Sequence, residues 1–182
     1  MPVLIEGISV VIRCDTLEKK YQGGLRQYIH DVPNITFCTD NEITRVGFMV
    51  PTDVGGYINN LKKHGLIFAE DGHFIDIAVV DMLHGFTAKC DWLEFKTTHS
   101  LEKEEHYSWC RLVGSCATEI FLPDGWDFET SLTKKHTFAS NGEFEKEHKF
   151  LRAENGRDVW LNLKSGNEVF VGRAQKLSSK DN

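Results

Sequence analysis

The chain repeats itself. Residues 36–50 (TFCTDNEITRVGFMV) align without a gap to residues 67–81 (IFAEDGHFIDIAVVD). Phe37 matches Phe68, Asp40 matches Asp71, Ile43 matches Phe74, and Val46 matches Ile77. Each copy follows a segment of helical pattern that carries a glycine pair, Gly23-Gly24 in one and Gly55-Gly56 in the other. A repeated helix–strand–strand unit restricts the architecture strongly, because each copy must bury the same face.

The elements around the repeat follow from side-chain periodicity. Residues 7–13 (GISVVIR) are β-branched and read as a strand. Asp15 followed by Glu18 has the form of a capping box. Leu17, Tyr21, Leu25, Tyr28 and Ile29 then recur at helical spacing up to Pro33-Asn34. Residues 35–39 and 42–50 are two strands about a turn at Asp40-Asn41. Pro51 opens a second helix with an apolar stripe of Val54, Tyr57, Ile58 and Leu61, and Gly65 is its stop. Residues 67–70 and 73–82 make the second hairpin, about Asp71-Gly72. We expect an α+β fold: a ferredoxin-like, duplicated βαβ-βαβ sheet over residues 1–98 with an appended strand at residues 89–97. The polar run 98–106 (THSLEKEEH) reads as a linker into a β-rich part, residues 99–182, forming an antiparallel β meander or partial barrel. The two parts can fuse into one domain.

Charge and cysteine usage narrow the function. Twenty-one basic against 27 acidic residues give a net charge of −6. That is the wrong field for a phosphate backbone or an anionic membrane, so we expect neither nucleic acid nor membrane as a partner. The start (MPVLIEGISVVIRCD) has no basic region and is broken by Glu6, so no cleaved leader is expected. Five cysteines without a Cys-x-x-Cys pair fit reduced thiols in a cytoplasm. Cys14, just ahead of a helix, stands where a helix dipole lowers a thiol pKa. No cofactor motif, nucleophile elbow or His-Glu-x-x-His occurs.

Strand alternation supplies a candidate site. Thr44, Val46 and Phe48 share one face with the greasy set Ile75, Ile77 and Val79, which should lie under the helices. The opposite face then carries Arg45 and Asp76 at matching repeat positions, with Gly47 and Ala78 beside them. Two small residues between two opposite charges describe a shallow recess for a small polar ligand. Trp92, on a half-exposed strand face, is the fifth ligand-binding candidate. The bland alternative is that later chain covers this face and Arg45 pairs with Asp76. Trp126, after the Pro123-Asp124-Gly125 turn and flanked by Asp124 and Asp127, would suit a basic protein partner.

A metal reading rests on a resemblance. Residues 43–97 read β-α-β-β-β, and Asp91-Trp92-Leu93-Glu94-Phe95 is similar to the last strand of modules in the vicinal oxygen chelate family, the glyoxalase and bleomycin-resistance group. The resemblance implies a metal-dependent enzyme with Glu94 as a metal ligand. The first-strand histidine usual in that family has no counterpart in residues 43–50. The leading expectation is a non-catalytic cytoplasmic binding or interaction protein, taking a small ligand or a partner protein, with a homodimer through the open sheet face or an edge strand as a further possibility.

Overall fold

A computed structural model describes residues 2–100, 105–116, 119–140, 148–154, 157–163, 166 and 168–172. In chain order its elements are β1 (Val3–Ile5), β2 (Ile8–Arg13), α1 (Cys14–Lys20), α2 (Gly24–Asp31), β3 (Cys38–Thr39), β4 (Ile43–Phe48), α3 (Pro51–Lys63), β5 (Ala69–Glu70), β6 (His73–Phe74), β7 (Ile77–Asp81), β8 (Gly85–Phe86), β9 (Leu93–Ser100) and β10 (Glu105–Leu112). A 3-10 turn (Phe128–Thr130), α4 (Leu132–Ser140), β11 (His148–Glu154), β12 (Arg157–Asn162) and β13 (Glu168–Gly172) follow. The protein is mixed α+β, with several antiparallel sheets and no closed barrel among the described residues. Two compact units divide the chain, Met1–Thr137 and Phe138–Asn182.

The first unit is built on a five-stranded antiparallel sheet, in the order β3-β4-β2-β7-β8. Register sets its two faces. Val11 stands between Arg45 and Ala78, and Val10 between Val46 and Val79. The Val10 face meets the helices: Thr44 donates to the Tyr28 hydroxyl, and the Phe48 ring lies 5.3 Å from that of Tyr57. Val54, Tyr57, Ile58 and Leu61 of α3 are buried, as a stripe at helical spacing requires.

The glycine pairs behave differently from one another. Gly23 (φ +86°) and Gly24 (φ +68°) split the expected first helix into α1 and α2. Gly55 and Gly56 sit inside α3 facing open space, where an added Cβ would meet nothing within 4 Å. The expected capping box also works otherwise. Asp15 pairs with Lys19 one turn on, and Glu18 accepts from the Leu25 N–H at the start of α2.

The run 98–106 is not a linker between sheets. β9 pairs with β10 from Leu93↔Leu112 to Ser100↔Glu105, so the expected boundary falls inside a hairpin. β10 then pairs with β1 (Val3↔Cys110), giving a second sheet, β1-β10-β9, within the first unit. Its Val3, Ile5, Leu93 and Cys110 join the same core as Val11 and Ala78. α4 has no counterpart among the elements expected from sequence. The second unit contains a three-stranded meander, β11-β12-β13. The Asn155-Gly156 turn and the tail from Leu177 lie outside the described residues.

Candidate functional site

The recess expected over Arg45 and Gly47 is filled by the chain itself. Arg45 is 0% exposed. Its Nε donates to the Leu4 carbonyl (2.5 Å), Nη1 to the Thr36 carbonyl (2.6 Å) and Nη2 to Glu6 Oε2 (3.0 Å). Ala78 is fully buried. Over Gly47 sits Leu132, the first residue of α4, with Cδ1 only 3.0 Å from where a Cβ would stand. Gly47 is therefore small to admit Leu132, not a ligand. Arg45 does not pair with Asp76. A buried guanidinium needs several acceptors at once, and Leu4, Thr36 and Glu6 provide them.

Glu6, read from sequence only as a break in an apolar run, is the hub of this arrangement. It is 2% exposed. Besides Arg45 it accepts from Trp126 Nε1 (2.8 Å) and, through the same Oε1, from the Thr133 N–H and hydroxyl (3.4 and 3.3 Å). Trp126 thus turns inward, and it also lies against the rings of Tyr107 and Phe128. It is not displayed beside Asp124 and Asp127 for a partner.

Asp76 and Trp92 meet at a different place, the end of β2. Asp76 precedes β7 in a bend and is 2% exposed. Its Oδ2 accepts from Lys20 Nζ at the end of α1 (2.6 Å) and from the Ile67 N–H (2.7 Å). Its Oδ1 lies 3.9 Å from Nη2 of Arg13, the last residue of β2. The Arg13 guanidinium stands over the Trp92 indole, 5.5 Å from the ring centroid, and the indole N–H is tied to the Phe74 carbonyl (3.2 Å). So β2, α1, the bend before β7 and the turn before β9 all deliver a side chain to one corner.

Arg13 is short of acceptors. Its Nε is buried and is the one buried side-chain nitrogen or oxygen without a hydrogen bond among the described residues. Asp15 Oδ1 is 3.9 Å from this Nε, and Asp76 Oδ1 is 3.9 Å from Nη2. That distance permits attraction but not a hydrogen bond. Arg13 and Lys19 both approach Asp15, and Arg13 and Lys20 both approach Asp76. Buried donors ordinarily have partners, so an unpaired guanidinium N–H is a donor for a water or another acceptor from outside the chain.

The remaining candidates are accounted for locally. Glu94 projects from β9 and accepts from Arg111 Nε (2.6 Å) while pairing with Lys96 (2.8 Å). Those hydrogen bonds hold its carboxyl below the usual range. A metal would have to displace both cations, and among the described residues no three His, Cys, Asp or Glu side chains gather to hold one. His73 pairs with Asp91 (3.5 Å), while His84 and His136 both address Asp81 (3.0 and 3.2 Å). Burial, with nearby carboxylates, pushes the Cys14 thiol up despite a 3.7 Å contact with the Thr39 hydroxyl. A dipole-activated thiol is thus not found there. Compared with protein-family models, curated proteins and solved structures, the chain shows no match.

Proposed function

We propose that the chain is a non-catalytic binding protein that takes a small oxyanion, a carboxylate or phosphate, on Arg13 in the corner framed by Asp76, Lys20 and Trp92. The observation that carries this reading is the buried Arg13 Nε without an acceptor. Leaving such a donor unpaired costs about 1–3 kcal/mol, and the Arg13 side chain is 35% exposed, so an oxyanion that draws the Nε outward recovers that cost. Guanidinium presents its N–H groups in a planar fork that matches an oxyanion's two oxygens. The guanidinium carbon stands 5.5 Å from the Trp92 ring centroid, and Asp76, held by Lys20, lies 3.9 Å from its Nη2.

The finer fold reading belongs to the same proposal. The order β3-β4-β2-β7 is the order a ferredoxin-like sheet takes, with β8 appended. Equivalent residues of the repeat form β3 and β5, and positive φ recurs at Asn41 and Gly72. A reducing, cytoplasmic setting is supported by five free cysteines.

The test is a thermal-shift and calorimetric panel of acetate, succinate and inorganic phosphate, run on the wild type, Arg13→Gln and Arg13→Lys. At least one of the three anions is expected to stabilise the wild type, none to stabilise Arg13→Gln, and Arg13→Lys to bind more weakly. Equal stabilisation of wild type and Arg13→Gln, or none in either, rejects it.

A further inference from the structure

We infer that a surface cavity running along α2 from its N-cap Gly23 to its last residue Asp31, beside the C-terminal ends of α1 and α3, binds a primary ammonium group. The cavity has a volume of about 420 Å³ and is lined by Gln22, Gly23, Gln27, Asp31 and His64. Tyr21 is the residue that closes α1, Asp31 is the last residue of α2, and His64 closes α3. Helix C-termini carry partial negative charge, but Lys19 and Lys20 end α1 and Lys62 and Lys63 end α3, so the cation preference of the cavity rests on Asp31.

Asp31 supplies the formal charge. Its Oδ2 accepts from the Tyr21 hydroxyl (3.0 Å) and its Oδ1 from Gln27 Nε2 (3.0 Å). Both donors are neutral, and among the described residues no cation lies within ion-pair distance of Asp31. Burial, then the Asp31 contact, pushes the Tyr21 hydroxyl up to about 12, so it remains a donor and leaves the carboxylate charge uncompensated. His64 lines the cavity, and its ring stacks on the buried Tyr21 behind it (4.0 Å between centroids, 13° between planes).

The amide geometry selects an ammonium over other cations. Gln27 must turn its NH2 toward the carboxylate, so its Oε1 points away as a free acceptor. Gln22 lines the same cavity and offers another amide oxygen. An R–NH3+ group has three N–H donors. Asp31, Gln27 and Gln22 present one oxygen function each, and the organic substituent lies against His64.

The test is an NMR titration of the full chain with benzylammonium chloride, read at the Gln27 side-chain amide and the Asp31 backbone N–H. Benzyl alcohol is the uncharged control, and tetramethylammonium chloride is the cation without N–H donors. The expected result is a saturable shift with benzylammonium only. Asp31→Asn keeps the side-chain shape and should weaken binding at least tenfold. Gln27→Met leaves the carboxylate in place and should weaken it severalfold. Arg13→Gln should leave this titration unchanged, which separates it from the oxyanion proposal. Equal binding of benzyl alcohol or tetramethylammonium, undiminished affinity in a folded Asp31→Asn or Gln27→Met variant, or no saturable shift at all overturns the inference.

Discussion

Replacing Glu6 by glutamine tests the buried hub at its most exacting point. The side chain keeps its length and shape, so packing is preserved. Every group around the carboxylate is a donor, however: Arg45 Nη2 on Oε2, and Trp126 Nε1 with the Thr133 N–H and hydroxyl on Oε1. Whichever way the new amide turns, its NH2 faces a donor. Arg45 is then a guanidinium at 0% exposure that has lost its anion and retains only two carbonyls. Removing one partner of a buried ion pair costs about 3–5 kcal/mol. That is a large share of the 5–15 kcal/mol typical of a folded domain. Urea unfolding followed by tryptophan fluorescence should show the midpoint fall sharply at constant slope. Adding Arg45→Met removes the stranded charge, and the double variant should recover much of the loss. A Glu6→Gln variant within about 1 kcal/mol of wild type, below the cost of a single stranded donor, would refute the reasoning.

Two further predictions concern the helical layer and the acid limb. Gly55→Ala and Gly56→Ala place a methyl in open space within α3. Each should raise stability by about 0.5–1 kcal/mol in chemical denaturation, and destabilisation by either would show the pair to be needed as glycine. Burial pushes the Asp81 carboxyl up, but the Leu83 and His84 N–H groups, with the His136 charge and the His84 ring, outweigh it and leave its pKa lowered. Its stabilisation is therefore present above the ordinary carboxylate pKa of about 3.9 and is lost as pH falls through the lower folded value. The stability gap between wild type and Asp81→Asn should narrow through that window and not above it.

Local structure was legible where a single element carries its own signals. Pro51, the Val54–Tyr57–Ile58–Leu61 stripe and Gly65 bound α3 without reference to anything distant. Alternation alone separated Arg45, Gly47 and Ala78 from the Ile77 and Val79 side, and register between β2, β4 and β7 has the same division. What covers that face was not legible. Glu6 lies 39 residues from Arg45 and 120 from Trp126, and no periodicity links residues so far apart. α4 was missed because its polar sequence has a weak apolar face. Its one local cue is Ser131, whose hydroxyl accepts from the Lys134 N–H. The charged stretch 98–106 looked like a linker because hairpin ends and linkers share polar composition, and only pairing tells them apart. Arg13 carried no motif. Its standing comes from an unsatisfied nitrogen, which exists only once the surrounding chain is in place.

The most direct measurement is the Arg13 Nε–Hε resonance itself, assigned by comparison with Arg13→Lys and followed while acetate or inorganic phosphate is added. An N–H that gains an oxyanion acceptor should move downfield and saturate, with the Trp92 indole signal shifting in step. An Arg13 resonance that stays fixed while other surface arginines respond equally to added salt would contradict the oxyanion site.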